Sequence, residues 1–201
     1  MSVRSLRAWL FAGLLVPLAV RAPQDSRAER PPHTRIDRPS REACGACHAR
    51  EVAEWSGSLH ATAWTNRNIR TATDEFRKLE CRPCHSPQPV LVSGLDRPPD
   101  FRDFNHEDGV HCLSCHGLAD GVAAARTLDA PCRPRAEPRL ASVELCYPCH
   151  QPTHHAFDEY RESQAFASGK RCADCHMPPR TTGGGHSHEG RGGFNAAFVK
   201  K

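Results

Sequence analysis

The chain never holds one hydrophobic rhythm for long. In residues 40–59, Val52 and Trp55 stand among charged neighbours, a spacing that suits a helix broken near Gly57. Residues 61–79 are polar with spaced apolar side chains and predict helix through 74–79, and residues 157–167 read as helix ending before Gly169. Clear alternating strands are absent. Residues 86–105 hold Pro87, Pro89, Pro98 and Pro99, and residues 177–193 are rich in Pro, Gly and His, so both predict loops. The one long apolar run is the 13 residues from Ala8 to Val20, behind Arg4 and Arg7 and before the small-x-small site Val20-Arg21-Ala22. It falls short of the roughly 20 residues that cross a bilayer. Residues 1–22 are therefore expected to be an export signal, with a retained anchor as the alternative. Residues 23–42 are polar and proline-rich, a flexible lead-in to a single domain over residues 43–201.

Composition sharpens the difficulty of folding such a chain. Apolar residues are 38% and aromatic residues 6%, against 17 prolines and 14 glycines. That leaves little with which to fill a core, so buried apolar mass must come from elsewhere. The formal charge of +4 is mostly leader: removing residues 1–22 takes three of the 27 basic side chains and leaves 24 against 23 acidic. A nucleic-acid partner gains nothing from this balance.

The missing mass is named by the cysteines. Ten of the eleven fall in five segments of the form Cys-x-x-Cys-His: Cys44, Cys47 and His48; Cys81, Cys84 and His85; Cys112, Cys115 and His116; Cys146, Cys149 and His150; Cys172, Cys175 and His176. Two thiols at this spacing add across the two vinyl groups of one haem, and the next histidine reaches the iron as proximal ligand. Zinc sites pair Cys-x-x-Cys units into fours, which five units do not allow, and they require no histidine at a fixed offset. A thioredoxin-like site needs one such pair, and iron–sulfur clusters use denser runs. Five covalent haem c groups are thus expected. With about 36 residues per haem after the leader, the haems must share one wrapper. The predicted fold class is mostly α: a haem-packed multihaem cytochrome c with little β structure and extensive loops. Cys132, in Cys132-Arg-Pro-Arg-Ala136, lacks the second cysteine and the histidine and reads as a thiol outside the attachment set.

Thirteen histidines leave eight beyond the five proximal ones. A second axial imidazole on each iron would use five of them. The candidates are His60, His106, His111, one of the adjacent His154 and His155, and His188 in preference to His186; His33 lies in the lead-in. Met177 directly follows His176 and cannot reach the far face of the same iron. Haems closed on both faces by imidazole exchange electrons at low potential and bind substrate poorly.

Three segments carry a family resemblance. Cys44-Gly-Ala-Cys-His48 followed by Glu54-Trp-Ser-Gly-Ser-Leu-His60 resembles the opening of cytochrome c554-type multihaem proteins, and Gly109-Val-His-Cys-Leu-Ser-Cys-His-Gly117 resembles their mid-chain motif. Cys172-Ala-Asp-Cys-His-Met-Pro178 is similar to a late motif of octahaem hydroxylamine-oxidoreductase-like and nitrite-reductase-like cytochromes. The resemblance covers about residues 42–195. It implies a helical shell, stacked haem pairs, periplasmic electron transfer, and distal ligands at His60, His106 and His188. The departures are five motifs rather than four or eight, no Cys-x-x-Cys-Lys, and only Tyr147 and Tyr160 as tyrosines.

The functional expectation is an electron-transfer protein of the periplasm or cell exterior, with other redox proteins or a membrane redox complex as partners. Self-association and membrane association are further options. No catalytic residues are expected. The alternatives are a multihaem oxidoreductase acting on a small nitrogen or sulfur compound at one open haem, and a haem subunit of a membrane complex or filament.

Overall fold

The structure is a computed structural model that describes residues 40–154 and 156–190, with backbone alone for 152–154. The expected leader, most of the lead-in, His33 and His155 lie outside the described residues, as does the side chain of His154. Among the described residues no helix exceeds eight residues, and none is long and apolar enough to cross a membrane. Helices α1 (Arg41–Gly45) and α2 (Ala49–Ser56) carry the first motif and its sequel; α3 is Arg67–Ala72. Then come α4 (Arg82–His85), α5 (Val90–Ser93) and α6 (Cys112–His116). The last four are α7 (Tyr147–His154), α8 (Ala156–Arg161), α9 (Gln164–Ala167) and α10 (Cys172–His176).

The expected break at Gly57 is present, because α2 ends at Ser56. Helix over 74–79 is not. Asp74, Glu75 and Phe76 all take left-handed backbone, with φ of 54°, 53° and 59°. The turn is tied by Glu75 N–H to the Arg70 carbonyl and by Phe76 N–H to Thr73 Oγ1. Its strain is offset by burial: Phe76 is 1% exposed and stacks flat on Trp64, centroids 3.8 Å apart. The helix expected over 157–167 is broken where Ser163 caps α9 through Phe166 N–H. The predicted loop over 86–105 contains α5.

A small sheet also departs from the strand-free reading. Strand β1 (Gly117–Leu118) pairs antiparallel with β2 (Gly121–Ala124), which pairs parallel with β3 (Pro134–Ala136). It remains minor, and the fold is mostly α-helical with extensive loops.

The buried apolar residues of the described part are Trp55, Ala61, Ala63, Phe76, Val90, Leu91, Ala123 and Phe157. Three are alanines, so the polypeptide fills little volume by itself, as its composition implied. Polar fastening makes up part of the difference. Trp55 Nε1–H donates to the Val110 carbonyl at 2.8 Å, and Val110 N–H donates to the His60 carbonyl at 2.9 Å. Trp55→Phe keeps the ring and loses the first of these bonds. We expect a loss of about 1 kcal/mol, read as a fall in melting temperature of roughly 2–4 °C.

Candidate haem-attachment sites

One helical turn explains why the motif works. Residues three and four apart share a helix face, so Cys-x-x-Cys-His sets both sulfurs and the imidazole on one side. Helices α6 and α10 each begin at the first cysteine and end at the histidine. In the first and fourth motifs the histidine N–H closes the turn on the first cysteine's carbonyl, His48 to Cys44 at 2.8 Å and His150 to Cys146 at 3.1 Å. Local caps start the fifth and the third: Arg171 N–H donates to Asp174 Oδ2 at 2.8 Å, and His111 N–H donates to Ser114 Oγ at 3.1 Å.

All eleven cysteines are free. Thiols of different motifs meet: Cys44 with Cys112, Cys84 with Cys149, and Cys146 with Cys172. The first attachment segment thus abuts the third, the second abuts the fourth, and the fourth abuts the fifth. Burial pushes the Cys115 thiol up to about 11, so it is no thiolate nucleophile at neutral pH. Cys132 stands apart from these pairs, beside the left-handed Arg133.

The histidines are prepared by their Nδ1 atoms. His85 bonds the Ala63 carbonyl at 2.9 Å, His116 the Ala123 carbonyl at 2.8 Å, and His188 the His186 carbonyl at 3.1 Å. A carbonyl only accepts, so each Nδ1 carries the hydrogen and each Nε2 keeps its lone pair for a metal. The sheet has its use here, since β2 holds the Ala123 carbonyl against His116.

Two pairs of rings face one another. His60 and His150 have centroids 6.2 Å apart, and so do His116 and His188. A first-row metal takes imidazole nitrogen at about 2 Å, so two rings on opposite sides of one iron put their centroids roughly 6 Å apart. Both pairs fit a shared iron. Burial and then His150 push His60 down to about 4, so it is neutral at pH 7, as a ligand must be. His60 keeps an accessible surface although protein atoms crowd around it. Burial, then His116 and Arg180, likewise lower His188. Among the described residues no cluster of three or more His, Cys, Asp or Glu forms a metal cage. Paired imidazoles supply axial donors only, which suits an iron whose other four ligands come from a porphyrin.

The remaining candidates divide. His106 packs at a tilt against both Trp64 and Phe101, with ring centroids at 4.6 and 5.1 Å, and its Nε2 is buried without a hydrogen-bond partner. That is the condition of a nitrogen awaiting a ligand. His111 is different. Its Nδ1 accepts from Leu113 N–H at 2.9 Å, capping α6. Its Nε2, like that of His106, is buried without a hydrogen-bond partner, so His111 caps α6 in this structure and stays among the proposed ligands. Sequence reasoning passed over His186, whose Nδ1 bonds the Met177 carbonyl at 2.6 Å, presenting Nε2 as His188 does. The signal was its position two residues from a favoured candidate on the same loop.

Residues 43–117 match the family described as cytochrome c554 and c-prime. A penta-heme cytochrome c552 from Thermochromatium tepidum has a similar fold, with a TM-score of 0.56 and 21% identity over 82% of this chain. The match covers 60% of the length of that protein. No curated protein matches.

Proposed function

We propose that this chain, a multihaem c-type cytochrome related to the cytochrome c554-like family, carries five haems and moves electrons between redox partners outside the cytoplasm. The observation that carries the reading is the pair of opposed imidazole couples, His60 with His150 and His116 with His188, each at 6.2 Å. The ten motif cysteines would tether the porphyrins. His48, His85, His116, His150 and His176 would serve as proximal ligands, with His60, His188, His106, His111 and His186 as distal candidates. Haem bound in this way supplies a one-electron iron couple, set low and closed to substrate by imidazole on both faces. The chain holds its rings still. Nδ1 bonds to backbone carbonyls fix His85, His116 and His188 in one orientation, so a change of charge at the metal meets little rearrangement. The abutting motif pairs bring one attachment segment beside the next, which favours short transfers along the array. The expected export signal puts the protein in the periplasm or at the cell exterior. The polypeptide's charge is near balance, so the haem propionates would make the holoprotein net negative, which suits polar, short-lived contacts with redox proteins that present a basic face.

Three measurements on the purified holoprotein test this. Haem quantitation should give five per chain, and low-temperature EPR of the ferric protein should be dominated by low-spin signals. The protein should be reduced and reoxidised by small redox proteins without turning over hydroxylamine, nitrite or sulfite. A strong high-spin signal together with steady turnover of one of these would replace the carrier by the enzyme.

A further inference from the structure

The loop that presents His188 turns through Gly183, Gly184 and Gly185, all with positive φ, at 78°, 68° and 72°. It is closed on itself by Ser187 N–H to the Pro178 carbonyl at 2.9 Å and by His186 Nδ1 to the Met177 carbonyl at 2.6 Å. It is also fastened to α2, the helix that follows the first motif. Arg180 is the bolt. Its Nη1 donates to Glu51 Oε1 at 2.9 Å, its Nη2 to Glu54 Oε2 at 2.5 Å and its Nε to Glu54 Oε1 at 3.3 Å, while its N–H holds the Gly185 carbonyl at 2.9 Å. The Arg180 and Glu54 side chains are only 8% and 15% exposed. Glu54 then reaches the ligand segment itself, accepting from His188 N–H at 2.9 Å. Arg50 adds a second brace, from Nε to Glu54 at 3.2 Å and from Nη1 to the Thr182 carbonyl at 3.4 Å.

We infer that Glu54 and Arg180 are positioning residues that hold His188 opposite His116, so that the helix of the first haem secures an axial ligand of the third. The inference rests on the axial pairing proposed above. A partly buried guanidinium bound to two carboxylates is costly to break, because removing one partner leaves the others desolvated and unpaired. The clamp therefore acts as a latch: closed, it keeps an imidazole in place; open, it frees one face of that iron for an added ligand.

The test compares His188→Ala, Arg180→Ala, Arg180→Gln and Glu54→Ala as holoproteins, at equal haem content. His188→Ala should lose the low-spin signal of one haem and gain a high-spin one, with new binding of carbon monoxide in the reduced state. Arg180→Ala and Glu54→Ala should reproduce the same signal in part or in full, and added imidazole should restore the low-spin form. If Arg180→Ala does not accumulate, Arg180→Gln removes the charge with less change of shape and is read in its place. Clamp variants that remain low-spin and closed to carbon monoxide, beside a high-spin His188→Ala, overturn the latch and leave the pairing intact. A low-spin His188→Ala overturns the pairing and the latch with it.

Discussion

His60→Ala is expected to leave haem content unchanged and to turn one ferric iron, the one His150 holds, from low-spin to high-spin. In the proposed arrangement the porphyrins are tethered by the motif cysteines, which the substitution leaves in place. The backbone task of residue 60, accepting from Val110 N–H, survives the substitution. The only loss is the imidazole that faces His150 at 6.2 Å. Removing a donor that favours the ferric state should raise the potential of that haem, and the open face should bind carbon monoxide on reduction. His60→Met should refill the site and give a low-spin haem of higher potential, since a histidine–methionine pair sits above two histidines. His150→Ala acts on the same iron, so its spectral effect and that of His60→Ala should not add. An EPR spectrum unchanged by His60→Ala would remove His60 from the ligand set.

The attachment chemistry was legible because it is local. Five residues of one helical turn carry both sulfurs and the imidazole, and no distant part of the chain is needed to recognise them. The axial partners were legible only as a surplus of histidine. Which ring meets which depends on a segment before residue 61 folding against α7 and on a C-terminal loop folding against α6, and no local pattern encodes either approach. His111 shows the difficulty: its place beside Cys112 suits a ligand and a helix cap equally well, and the structure pairs its Nδ1 with Leu113 N–H while its Nε2 stays buried and unpaired.

Fold class was readable from the absence of alternation, the short helices less so. Residues 74–79 have helical composition, yet the burial of Phe76 on Trp64 outweighs it and drives three consecutive residues left-handed. Gly121-Val-Ala-Ala124 carries weak strand propensity. It is extended because β3 pairs with it and because its Ala123 carbonyl meets His116. Both departures lie beside proposed ligands. Local preference yields there to the placement of His85, next to Phe76 at 5.6 Å, and of His116.

Gly109→Ala should be among the most damaging single changes in the chain. Gly109 has φ 54° and ψ −128°, a conformation that a side chain strongly disfavours, at a cost of about 1–3 kcal/mol. A Cβ there would also stand 2.4 Å from the His60 carbonyl oxygen and 3.1 Å from Ala61 O and Ala63 N. Neither side can give cheaply. The glycine's own carbonyl is held by Arg102 Nη2 at 2.6 Å, and Arg102, 1% exposed, also binds the Phe104 and Asn105 carbonyls. The opposing turn carries His60 at one end and, at the other, the Ala63 carbonyl that orients His85. Relief on the Arg102 side leaves buried donors unpaired, at about 1–3 kcal/mol; relief on the other side moves two proposed ligands at once. The expected total is about 3 kcal/mol or more, a fall in melting temperature of roughly 6–12 °C. The haems of His85 and His150 should change their spectra together. Gly169→Ala is the matched control: its φ is 71° but nothing lies within 4 Å of the added carbon, so it should cost only about 1 kcal/mol. If the two variants melt together, the close approach of Gly109 to the His60 turn is not what fixes that turn.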